Sequence, residues 1–241
     1  MKNKTLTLYI SLLVFLLWKN FIIADYRYYA WTYQFITMFP GETELEFYTR
    51  IDQNDISNPN TVKWKRQVEI ETGLTKSWDL SFYLVDSYKP TDGKTKFDEI
   101  KIRTRYKLTE KDRFFVDTLA YIEHKIQVDR NYPDKWETKL ILAKDIRDLN
   151  LSINIIPEEY YQTGTKNKLW KVKYAFGTSY PLNDIFRFGI ESTGDLKYNN
   201  YMLGPAISFK GKRIWSAIGV LYGLNKESDD LQTQAIIGIV F

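Results

Sequence analysis

LQTQAIIGIVF, residues 231–241, reads as a β-strand through its last residue. Leu231, Thr233, Ala235, Ile237, Ile239 and Phe241 fall on one face of a period-two pattern, and Gln232, Gln234, Ile236, Gly238 and Val240 on the other. Soluble domains usually finish in a few frayed polar residues. A strand that is structural as far as Phe241 is expected where the last strand pairs with the first and no sheet edge remains.

Working outward, the same period continues upstream almost to residue 40. Twelve strands are expected: 43–51, 64–74, 78–86, 97–108, 114–125, 136–144, 149–157, 169–180, 185–193, 201–209, 213–223 and 231–241. No amphipathic helix interrupts them. The connections alternate in character. IDQNDISNPNTV, SYKPTDGKTK, QVDRNYPDK, PEEYYQTGTKNK and STGDLKYNN are long and polar, with NKESDD of moderate length; LTKS, TEKD, DIRD, PLND and KGK between them are short. A transmembrane barrel has this rhythm, with short turns in the periplasm and longer loops outside. The even strand count brings both ends of the barrel to the periplasmic side.

The strand faces agree. Ile102, Thr104, Tyr106 and Leu108 oppose Lys101, Arg103, Arg105 and Lys107, and Val172, Tyr174, Phe176 and Tyr180 oppose Lys171, Lys173, Ala175, Gly177 and Ser179. Alternation alone also fits a water-soluble barrel with its apolar face inside. Runs of ten or eleven residues favour the membrane, because a tilted strand of that length crosses the hydrocarbon. Aromatics near strand ends (Trp64, Trp78, Phe97, Tyr106, Phe114, Trp136, Trp170, Tyr180, Phe186, Tyr201 and Trp215) fit interfacial girdles, although β propensity also enriches them. The fold expected is therefore all-β: an antiparallel up-and-down transmembrane barrel over 43–241.

Composition narrows the function classes. There is no cysteine, which excludes disulfides, thiolate metal sites and lipidated cysteines. A formal charge of +4, evenly spread, gives no case for nucleic acid. At the start, Lys2 and Lys4 precede an apolar run from Leu6 to Trp18, as in a secretory signal over 1–24 with cleavage between 24 and 30. The run is short for a membrane anchor, the alternative reading. Residues 25–42 are expected at the periplasmic rim, packing Trp31, Tyr33 and Phe39, or else tucked inside as a small plug.

The terminal stretch resembles the carboxy-terminal signature of Gram-negative outer-membrane barrels, an aromatic end preceded by alternating apolar residues, here Ile237, Ile239 and Phe241. That resemblance implies residence in the cell outer membrane, contact with its lipids, and recognition by the machinery that assembles barrels there. WTYQFITMFPGETELEFYTRID resembles the opening of an uncharacterised group of outer-membrane transporter- and porin-like barrels, through Pro40, Gly41, Glu42, Glu44 and Glu46. The resemblance spans about residues 31–241 and implies architecture and location, with no established substrate.

Strand parity places Glu44, Glu46 and Arg50, then Gln67, Glu69 and Glu71, then Asp79 and Tyr83, and then Lys101, Arg103, Arg105 and Lys107 inward. Acidic and basic rows would face each other across a narrow lumen, because charges in a partly dehydrated interior need partners. Glu191, Arg187, Lys171 and Lys173 extend the set. Two readings stay open: a constriction that selects small solutes by charge, and a salt-bridged filling that closes a structural or surface-interacting barrel.

Enzymatic chemistry finds little support. The one histidine is His124, and a twelve-stranded outer-membrane phospholipase carries its serine two residues from the catalytic histidine; here that position is Ile126. A serine nucleophile needs a base within about 3 Å, and nothing in the sequence places one. The acidic stretches 52–55 and 228–230 match no defined calcium site. No metal and no cofactor are expected.

Overall fold

The computed structural model describes residues 26–162, 164 and 168–241; the expected signal segment lies outside them. Strands β1 (Thr43–Gln53), β2 (Val62–Thr75), β3 (Trp78–Lys89), β4 (Lys94–Lys107), β5 (Asp117–Gln127), β6 (Asp134–Ile146), β7 (Leu149–Tyr161), β8 (Lys168–Pro181), β9 (Phe186–Asp195), β10 (Asn200–Lys210), β11 (Ile214–Gly223) and β12 (Leu231–Val240) follow one another, each antiparallel to the last. β12 then pairs with β1, from Glu44↔Val240 to Gln53↔Leu231, and the amide of Phe241 donates to the Thr43 carbonyl at 2.8 Å. Every strand therefore has two neighbours, which a spanning β structure requires because lipid offers no hydrogen bonds.

The pleat sorts the side chains. Val68, Ile70, Phe82, Leu84, Ile102, Ile122, Ile153, Phe188, Ile207 and Ile218 are all exposed on the outside at mid-strand. A band of this kind would be an aggregation hazard in water and is the lipid-facing surface of a membrane barrel. Aromatic rings mark both borders: Trp78, Tyr106 and Tyr180 at the short-turn end, Trp64, Trp136 and Trp170 at the other. Trp215 departs from the expected girdle. It pairs with Gly238 on the inward-facing parity, is fully buried, and donates its indole N–H to Glu44.

The loop rhythm also differs in origin from the expectation. The loop between β3 and β4 is only 90–93, because both strands run on to Lys89 and Lys94, whereas the turn after β4 occupies 108–116 and β5 starts at Asp117 rather than 114. Polar residues read as loop are partly strand that protrudes beyond the apolar band.

Ahead of β1, residues 26–38 form a loop inside the barrel rather than at its rim. Both of its ends lie toward the short turns: the Tyr26 ring is 4.9 Å from Lys210 Nζ, and the Met38 amide donates to Asp79 at 3.3 Å. Pro40 and Gly41 then turn the chain into the wall. Gly41 adopts φ +79°, its amide donates to the Gly73 carbonyl at 2.9 Å, and Pro40 forms a bridge with Gly73. A Cβ on Gly73 would lie 2.0 Å from the Phe39 carbonyl oxygen, so this crossing needs glycine. Phe39 itself is exposed.

Candidate functional site

The interior has three parts, each produced by cross-strand register. Near the short-turn end, β2 supplies Glu69 and Glu71, and β4 supplies Arg103 and Arg105 two positions apart in the same way. Between them β3 offers the small Ser81, opposite both Glu71 and Arg103, so the guanidinium groups reach across it. Arg103 pairs with Glu69 at 2.9 Å and with Glu71; Arg105 pairs with Glu71 and holds Asp79 through Nε at 3.0 Å and Nη2 at 2.7 Å. Planar guanidinium groups suit such bidentate work. The Arg103 side chain is 1% exposed, so removing either partner strands a charge. Glu46 accepts from the Tyr48 hydroxyl, which lies 2.8 Å from Glu69. Oxygens of Glu46, Glu69 and Glu71 lie within 4.8 Å of one another, and Arg103 and Arg105 pair with two of the three, Glu69 and Glu71.

Toward the long-loop end the cations are lysines. Lys65 reaches Glu99 at 2.8 Å and Lys101 reaches Gln67 at 2.6 Å. Glu137 is shared by Lys125, Lys135 and Lys139 at 2.9, 2.8 and 3.1 Å, and Glu158 by Lys135 and Lys173, the latter at 3.1 Å. Lys139 also sits 4.3 Å from the Tyr33 ring and 4.2 Å from the Tyr121 ring. These side chains surround a cavity of about 470 Å³. Side-chain exposure rises toward its mouth, from 7% at Lys101 to 33% at Lys173.

The third part is the inserted loop. Its apex hangs from Glu191: the amides of Ala30, Trp31 and Thr32 donate to that one carboxylate at 2.7, 2.9 and 2.7 Å. Successive N–H groups of this kind make an anion-binding concavity. Asn154 clamps Tyr33 twice, accepting from its amide at 2.7 Å and donating to its carbonyl at 2.8 Å. Arg27 braces the loop through the carbonyls of Ala30 and Thr32, at 3.4 and 3.2 Å. The Tyr29 hydroxyl donates to the Asn150 side chain at 2.8 Å, and burial pushes that phenol's pKa up, which keeps its proton in place. The wall beside these anchors carries glycines. A Cβ on Gly177 would lie 2.6 Å from the Tyr29 ring, and one on Gly219 would lie 2.4 Å from the Trp31 ring.

Of the residues singled out in the sequence, Glu44, Glu46, Glu69, Glu71, Lys101, Arg103 and Arg105 are buried inside. Lys107, the last of its row, is half-buried at the rim, its Nζ 5.4 Å from the Phe35 ring. Ile237 and Phe241 are exposed on the outer face, and Ile239 shares that parity. His124 also faces outward, stacked on Trp136 at 4.2 Å, with Nε2 2.6 Å from the Tyr161 hydroxyl; among the described residues no serine hydroxyl hydrogen-bonds it. Asn150, Asn154, Gly177 and Gly219 escaped the sequence reading as loop-binding positions. The available signal was the run of inward glycines in the later strands, at 177, 189, 204, 219 and 238.

No family model matches the sequence, and no curated protein does either. Solved structures do resemble the barrel. An outer-membrane channel from Pseudomonas putida F1 is similar with a TM-score of 0.60 and 10% identity, over 86% of this chain and 98% of that one. The KdgM porin in complex with disordered oligogalacturonate gives a TM-score of 0.57 at 10% identity, over 82% and 98%. The NanC porin gives 0.54 at 12%, over 82% and 98%. At these identities the likeness is one of fold. With the closed strand circuit and the apolar exterior, it makes this chain an outer-membrane β-barrel of the porin-like, twelve-stranded kind.

Proposed function

We propose that the chain is a plugged outer-membrane channel for small solutes, its cavity open on the long-loop side and its lumen closed toward the short turns by residues 26–38. The observation that carries this reading is the suspension of the loop apex from Glu191. Three charge-assisted hydrogen bonds to one carboxylate hold the apex, and the Tyr29 and Trp31 rings beside it lie over glycines. On its flanks Tyr33 and Met38 pack against Tyr121 and Trp215. Release of the loop would leave the Arg103, Arg105, Glu69 and Glu71 cluster as a charge-selective constriction.

Outer-membrane lipids are the solvent for the exterior. The alternating β12, with Ile237, Ile239 and Phe241 outward, is the segment we assign to recognition by the barrel-assembly machinery. No metal or cofactor is assigned, since Glu69 and Glu71 of the carboxylate cluster are engaged by Arg103 and Arg105 and Glu46 by Tyr48. We assign no catalysis either, His124 being engaged with Trp136 and Tyr161 on the outer face.

A second reading, a permanently closed structural barrel, is favoured by the near-complete burial of Arg103. Single-channel recording of the refolded barrel in planar bilayers separates the two. The channel reading expects rare openings in the parent protein and frequent, stable ones in Glu191→Ala, with ion selectivity that shifts when Arg103 and Arg105 are neutralised. Glu191→Ala barrels that are folded, inserted and silent would leave the structural reading standing.

A further inference from the structure

The outward cavity is more than a passage. Six lysines on its wall, at 65, 101, 125, 135, 139 and 173, share four glutamates, at 99, 123, 137 and 158. Nearer the mouth, Lys63 and Arg50 add two more cations, against Asp52 and Asp195. With Arg27 of the inserted loop, nine basic side chains face these six acidic ones. Surplus charge of one sign in a walled cleft raises the local concentration of the opposite ion.

The arrangement also constrains the ligand's shape. Lys65 on β2 and Lys173 on β8 are six strands apart in a ring of twelve, so they face each other across the bore. A single acidic group can satisfy one wall only. Between the walls stands the triply contacted Glu137, whose lysines Lys125 and Lys135 also reach Glu123 and Glu158. The floor is the inserted loop, with Arg27 and the Tyr33 ring lining the same cavity.

We propose that this cavity is a binding site for a small polyanion, a molecule bearing at least two carboxylate or phosphate groups that bridges the lysines of opposite walls. The site rests on the plugged-channel reading in one respect: the seated loop supplies its floor. Lys173 and Lys65 receive the outer groups, and Lys125 and Lys135 lie between them. Arg50 stands at the mouth, tied to Asp52 at 2.6 Å and partly exposed, so that loss of the Asp52 charge frees a further cation for the ligand.

Isothermal titration calorimetry on the full barrel refolded in a non-ionic detergent tests this. Citrate and inorganic pyrophosphate are the two probes, with acetate as the single-charge comparison. Citrate, pyrophosphate or both should bind more tightly than acetate, and weaken as salt rises; which of the two wins identifies the acidic group. Lys173→Gln should lower affinity about tenfold, the loss of one ion pair. Asp52→Asn should raise affinity severalfold, an effect that damage to the fold would not produce. Probes that bind no better than acetate to folded barrel would overturn the proposal. So would Lys173→Gln and Asp52→Asn moving affinity in the same direction. Calorimetry reads binding whether or not the loop moves, so a barrel that binds citrate yet never conducts would remove the channel reading and keep the site.

Discussion

The two halves of the wall are built on opposite rules. From β1 to β8 the inward positions carry long charged side chains that reach one another across the bore. From β9 to β12 small residues are frequent there, at Gly189, Gly204, Ala206, Ala217, Gly219 and Gly238, beside the larger Arg187, Glu191, Met202 and Trp215. The charged half is stabilised by its own network. The small-residue half, which Gly177 of β8 joins, depends on a foreign surface, the Tyr29 and Trp31 rings of the inserted loop. A barrel of this width can close its lumen with side chains or with a borrowed segment, and here each half uses one solution.

The contrast can be broken most forcefully on the charged side. Arg103→Ala removes the cation from Glu69 and leaves Glu71 to Arg105 alone, and a loss of about 3–5 kcal/mol is expected from uncompensated buried charge. Urea unfolding in lipid vesicles measures it, and a loss below 1 kcal/mol would mean that water reaches the cluster freely. On the small-residue side, Gly219→Val forces the Trp31 ring away without altering any charge. Overpacking of this kind costs about 1–3 kcal/mol, and because the loop can leave, the strain should appear as faster proteolysis of residues 26–38 with the barrel intact. Unchanged proteolysis together with global destabilisation would show the loop to be as firmly fixed as a strand. The smallest effect is expected outside both halves. Arg66 and Asp86 form a 2.7 Å pair on the exposed outer surface, and Arg66→Gln should change stability by no more than about 0.5 kcal/mol. A larger loss would show that exterior pairs share the load attributed here to the lumen.

Period-two alternation made the strand circuit legible, because each strand obeys it locally: Lys101, Arg103 and Arg105 point inward for the same reason that Ile102 and Thr104 point outward. Whatever depended on register between strands was less legible. Trp215 reads as a girdle residue until its pairing with Gly238 turns it inward. Loop lengths were misjudged where polar strand extends past the lipid band, as at Lys89 and Lys94. An interior position for residues 25–42 was one of two expectations from the sequence, but the contacts that hold the loop were not legible. Its contacts join residues more than a hundred positions apart, Tyr33 with Asn154 and Ala30 with Glu191, and no local pattern encodes such a meeting.

The loop's two ends share one side of the barrel, and this settles how it can move. A strand of chain passed lengthwise through the pore would have to be unthreaded to clear it. A bight pushed in from one end needs no unthreading: with Tyr26 and Met38 both toward the short turns, the apex can drop out and return while β1 stays sewn to β12. Opening is then topologically free, and it leaves the strand-to-strand hydrogen bonds of the wall in place.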